Sequence, residues 1–157
     1  MIHHLSAKEE FAQVCAKGAL ARVKELIAYG VDVNEEVSGH TPLNRAAAGG
    51  HHMVVKTLLR AGARPRHTDL VAAICAGSRH SANHIVDEMD YRGLEPLAFP
   101  WATVVGKPEF LRDLTPEIAR WLVDSGIDLH ETDSYGRSIL TLAKQYCSED
   151  VCAALGV

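Results

Sequence analysis

The sequence predicts an all-α fold, a solenoid of stacked helix–turn–helix repeats, and three observations carry that expectation. Short apolar stripes at helical spacing occur in pairs; Val54, Val55, Leu58 and Leu59 stand at i, i+1, i+4 and i+5. Glycines close those stripes, as Gly49-Gly50 and Gly62 do around this one. The pattern also recurs: Leu43 has counterparts at Phe11, Leu70, Leu97 and Leu140, a mean step of about 32 residues. A helix pair this small has an apolar ridge on both flanks and needs neighbours to supply its core.

Each unit is read in order. The first, residues 6–34, opens on Ser6-Ala7-Lys8-Glu9 at capping-box spacing. It carries Phe11, Cys15 and Gly18, then Val23, Leu26 and Ile27. The second, residues 36–66, has Thr41 before Pro42, whose fixed φ and missing N–H suit a first helical position. Leu43, Ala46 and Ala47 then share a face small enough for close helix packing. The third, residues 67–89, offers Leu70, Ala72, Ala73 and Gly77, then Ile85 and Val86, with no terminal glycine assigned. The fourth, residues 90–129, opens on Asp90-Tyr91-Arg92-Gly93-Leu94-Glu95-Pro96-Leu97. It closes on a helix begun by Thr115-Pro116-Glu117 and carrying Ile118, Leu122 and Val123. The fifth, residues 133–157, has Ser138-Ile139-Leu140 and Ala143, then a short last helix begun by Ser148-Glu149-Asp150.

The stretch Ser38–Ala63 resembles an ankyrin repeat, whose pattern runs D-x-x-G-x-T-P-L-H-x-A-A, then G-H, a V-V-x-L-L-type helix and G-A. Gly39, Thr41, Pro42, Leu43, Ala46, Ala47, Gly50, His51, Val54, Val55, Leu58, Leu59, Gly62 and Ala63 fall in register. Asn44 stands where the family usually has His. Gly30-Val31-Asp32-Val33-Asn34 is similar to the family's G-A-D-V-N. The fourth unit has Phe99-Pro100-Trp101 in place of the usual alanines, and the fifth has Ser138-Ile139 in place of Thr-Pro. The resemblance implies one ankyrin-type α-solenoid over residues 1–157, with short or truncated β-hairpin fingers. Between Gly30 and Thr41 there is room for a full finger, whereas the six-residue step from Gly62 to Thr68 leaves only a tight turn. A run of extra residues, Gly106–Asp113, is expected to project from the rim opposite the fingers.

Composition limits the function classes. An apolar share of 47% suffices for a continuous core, and the absence of low-complexity runs argues against disorder. The opening Met1-Ile2-His3-His4-Leu5 lacks the pattern of a secretory signal, and no apolar run spans a bilayer, so a cytoplasmic protein without a membrane partner is expected. Cys15, Cys75, Cys147 and Cys152 are expected as reduced thiols. The net charge of −4 divides into +3 over residues 1–80 and −7 over residues 81–157, a polarity that can orient a partner. Arg60, Arg64, Arg66, His67 and Arg79 form the densest basic cluster, but without interleaved aromatics they do not make a nucleic-acid site.

No catalytic, cofactor or metal residues are expected. There is no nucleophile elbow, phosphate loop or H-E-x-x-H. His51-His52 is read as capping and packing at a helix start, and His80 and His84, at i and i+4, as a solvated face without a third ligand. Trp101 and Trp121 are read as core fillers.

The resemblance implies a non-catalytic scaffold, monomeric alone, that binds another protein through finger tips and the inner, first-helix face. Carried over by register, the contact positions are Val37, Ser38, His40, Arg45 and Ala48 in the second unit, Tyr91, Arg92 and Leu94 in the fourth, and Ser134, Tyr135 and Arg137 in the fifth. Glu35 and Glu36 join them as candidates for a basic partner. Tyr and Arg are frequent interface anchors. Two roles stay open: a stoichiometric inhibitor of the kind an immunity protein exerts on a toxin, and an adaptor or secreted effector that tethers a host protein.

Overall fold

A computed structural model describes residues 5–94, 111–112, 114–133 and 135–157. The chain gathers into two compact units, Met1–Pro96 and Leu97–Val157. The first holds α1 (Ala7–Lys17), α2 (Leu20–Ala28), α3 (Pro42–Ala48), α4 (His52–Arg60), α5 (His67–Cys75) and α6 (Arg79–Tyr91). Consecutive helices pair as α1–α2, α3–α4 and α5–α6, while α1, α3 and α5 pack in one layer and α2, α4 and α6 in the other. The all-α, ankyrin-type expectation holds, and it holds for physical reasons that the sequence displays.

Helix starts follow their caps. Ser6 and Glu9 form the reciprocal capping box. The Thr41 hydroxyl accepts from the Asn44 N–H at 3.1 Å, with Pro42 at the first helical position. Helix ends follow their glycines. Gly18, Gly50 and Gly77 all adopt left-handed φ near +70°, and the next residue's N–H returns to the last turn each time. Their spacing of 32 and 27 residues is that expected for Phe11, Leu43 and Leu70. All three of those side chains are buried.

A second glycine series, Gly30, Gly62 and Gly93, ends α2, α4 and α6, and this corrects the register of the fourth unit. Asp90 and Tyr91 are not the start of a finger but the last turn of α6. The Leu94 N–H donates to the Met89 carbonyl at 2.8 Å around Gly93, at φ 74°, just as Ala63 donates to Leu58 around Gly62. Gly93 is therefore the terminal glycine that the third unit was expected to lack. The apolar stripe Ala82, Ile85 and Met89 carries the helix past residue 89, and all three are buried.

The second unit holds α7 (Pro116–Asp124), α8 (Ile139–Tyr146) and α9 (Glu149–Leu155) among its described residues, with α9 packed on both α7 and α8. Thr115 and Ser148 cap their helices as expected, and Ser138 caps α8 in the same way. Trp121 is buried with Ile118 and Leu122. In α8 the interior takes Ile139 and Leu142, leaving Leu140, the expected counterpart of Leu43, only half-buried. Leu97, Trp101 and the Gly106–Phe110 part of the expected insertion lie outside the described residues.

Candidate functional site

The finger between α2 and α3 is built from backbone outward. Val37 and His40 exchange both main-chain hydrogen bonds, at 3.0 and 3.2 Å, across Ser38 and Gly39. Both central residues have positive φ, 55° and 79°, the signature of a type I′ hairpin turn. Ser38 holds this left-handed backbone without being glycine, which costs strain that the surroundings must offset. They do so through Arg45, whose guanidinium donates to the Val37 carbonyl at 2.6 Å. Lys8 pairs with Glu35 at 3.8 Å and Arg66 with Glu36 at 3.4 Å, tying the finger to α1 and to the residue that opens α5. These pairs are half-exposed, so each contributes little to stability, but together they fix where the tip points.

Among the expected contact positions here, Glu35, Glu36, Ser38, His40 and Ala48 are exposed, and Val37 is half-buried. Arg45 is also half-buried, and its guanidinium supports the finger. Tyr91, Arg92 and Leu94 are exposed, but at the end of α6 and not on a finger tip. Arg92 is engaged twice, with Glu88 at 2.8 Å and with the Ala63 carbonyl at 3.3 Å.

In the second unit the loop Asp133–Arg137 is organised by one carboxylate. Asp133 accepts from the backbone N–H groups of Tyr135 and Arg137 and from the Arg137 guanidinium, at 2.9 to 3.0 Å. These donors hold its pKa below the usual carboxylate range, the Arg137 backbone N–H most strongly. Arg137 also lies over the Tyr135 ring at 5.1 Å. Tyr135 is nonetheless 81% exposed. Ser134 lies outside the described residues.

Several contacts that join one repeat to the next were not anticipated. The Asn34 amide bridges to the Gly62 carbonyl and the Arg64 N–H, at 3.2 and 2.9 Å. Asn44, the departure from the family's His, donates to the fully buried Asp69 carboxylate at 3.1 Å. Burial raises the Asp69 pKa above the usual carboxylate value, opposed by the Arg66 N–H and by Asn44. His51 does not cap α4 with its side chain; its ring lies against Gly18 and Gly49 and bonds the Ala16 carbonyl at 2.9 Å. The spacing of these partners, 25 to 35 residues, is close to one repeat, which is the signal that could have found them.

His80 and His84 are not simply a solvated pair, because His52 of α4 stacks on His84 and packs at a tilt against His80. Among the described residues no group of three His, Cys, Asp or Glu is arranged to hold a metal ion, and no helix is long and apolar enough to cross a membrane.

Residues 7–69 match the family described as ankyrin repeats, in 3 copies. No curated protein matches the chain. The matched segment runs from the first residue of α1 through α4 to the cap-bonding Asp69 in the first turn of α5. Proteins of this family are typically non-catalytic scaffolds that mediate protein–protein interaction. Over residues 7–69 the chain carries ankyrin repeats.

Proposed function

We propose that this protein is a monomeric, cytoplasmic binding scaffold that captures one protein partner through the Glu35–His40 finger and the adjoining α3 face. The observation that carries this reading is the pre-set finger. Its turn is held by two backbone bonds, by Arg45 and by ion pairs from both neighbours, while Glu35, Glu36, Ser38 and His40 remain exposed. A tip ordered before binding loses little conformational entropy on association, so its contacts convert to affinity with small losses. Arg45 and Val37 serve the reading as supports of the tip, and Ala48 as the small residue that lets a partner approach the end of α3. The Asp133–Arg137 loop, with Tyr135 outward and Arg137 fixed over its ring, is a second contact element of the same character. Tyr91, Arg92 and Leu94 are proposed as flanking contacts at the end of α6.

Within this reading we favour inhibition, as an immunity protein inhibits a toxin, over tethering, because fixed tips suit a stoichiometric blocker better than an adaptor that accommodates several partners. An adaptor or secreted effector is the alternative. The test is capture of partners from source-cell extract by the wild type and by Glu35→Ala/Glu36→Ala/His40→Ala, followed by assay of the captured protein's activity at increasing scaffold. Selective loss of one partner with the triple variant supports the finger. Saturable loss of that partner's activity at one equivalent supports inhibition, and unchanged activity supports tethering.

A further inference from the structure

The second-helix layer carries a cluster that the binding surface does not use. His52 opens α4, and His80 and His84 lie one turn apart on α6. The His52 ring centroid is 5.0 Å from that of His80 and 6.1 Å from that of His84, the latter pair 17° from parallel. The near-parallel His52 and His84 rings turn faces to each other and the His80 ring is tilted by 38° to His52, whereas ligating a metal needs in-plane lone pairs that converge, so the arrangement suits packed imidazoles and not an ion. His52 Nδ1 is buried with no hydrogen-bond partner among the described residues. Protonating this ring would make both nitrogens donors and leave a charged N–H unpaired.

We propose that the His52–His80–His84 cluster is a proton-sensitive joint: with His84 neutral the rings hold α4 and α6 together near pH 7.5, and charging His84 in mildly acidic solution loosens that seam. The charges around it favour this outcome. Lys56 of α4 is the standing cation beside His84, and His52 and His80 add to it when protonated. Asp87 of α6 is the opposing carboxylate. Arg60 and Glu88 line the adjoining cleft of about 320 Å³ with Leu59 and Tyr91, and Glu88 is already paired with Arg92. The groups that shift His84 come from α4 and α6 and from none of the other helices packed on the pair.

Burial first, then Lys56 and His52, hold the His84 imidazole below its ordinary value of 6.5, with Asp87 opposing. The folded state therefore resists a proton that the unfolded chain accepts. The sign follows: the contribution is complete above about pH 6.5 and is lost as pH falls from there through the folded-state value.

The experiment compares urea unfolding of the wild type and His80→Gln/His84→Gln at pH 7.5 and 5.5, with amide-exchange protection of α6. On acidification the wild type's unfolding constant should rise at least about threefold more than the variant's. Protection at Ile85 and Met89 should fall before that in α3. Equal pH responses of the two proteins overturn the proposal. If the double variant does not fold, the wild type's histidine Cε1 signals decide. His52 and His80 signals that shift as His84 titrates support the joint; three independent, ordinary titrations refute it.

Discussion

Leu58→Ala probes the stacked core at its centre. The Leu58 side chain is 0% exposed, on α4, which packs against α2, α3 and α6. The substitution removes three carbons, a transfer loss of about 2.4 kcal/mol at about 0.8 per methylene. The cavity adds to this, because α4 is held on three sides and cannot collapse freely; roughly 50 Å³ left unfilled costs about 1.2 kcal/mol. The expected destabilisation is therefore about 3–4 kcal/mol. Urea unfolding followed by circular dichroism reads it directly: with a slope of about 2 kcal/mol per molar, the midpoint should fall by about 1.5–2 M. Met53→Ala, on the exposed side of the same helix, should change stability by less than about 0.5 kcal/mol. A loss below about 1 kcal/mol at Leu58 would mean that α4 is not sandwiched as described.

Other outcomes follow from particular contacts. Gly18→Ala should cost about 2–3 kcal/mol, since Gly18 has φ 75° and a Cβ would stand 2.5 Å from His51 Nδ1. Thermal unfolding of the double variant with His51→Ala should show less than additive loss; strict additivity would contradict the ring contact. Native-state alkylation at pH 8 should label exposed Cys75 first and spare Cys15, whose thiol is buried and pushed up to about 12. Equal labelling rates would mean that α1 is not packed as described.

The first three helix pairs were largely legible in the sequence, because their caps and glycines act locally. Thr41-Pro42 and Gly49-Gly50 specify a start and a stop by steric and hydrogen-bonding rules that need no partner. Gly93 was misassigned because Asp90-x-x-Gly93 satisfies two local rules at once, a finger and a helix stop. The burial of Met89 decided between them, and burial is tertiary. The same reasoning explains the histidines. His80 and His84 were visible as a pair on one helix, but His52 joins them only through packing of α4 on α6. At the finger, the sequence indicated the exposed tip by register, yet not the support from Arg45, Lys8 and Arg66, which depends on side-chain reach across repeats. The left-handed Ser38 carried no local signal at all, since serine is not selected for positive φ.

The most direct test of the binding account is quantitative partner capture with the finger intact and altered. Wild type and Glu35→Ala/Glu36→Ala/His40→Ala, matched in melting temperature, are immobilised and exposed to source-cell extract, and retained proteins are quantified by mass spectrometry. The account predicts at least one protein enriched by the wild type and reduced about tenfold or more by the triple variant, with the same ratio reproduced by the purified pair. An identical set of retained proteins at identical amounts would contradict the finger as the binding surface.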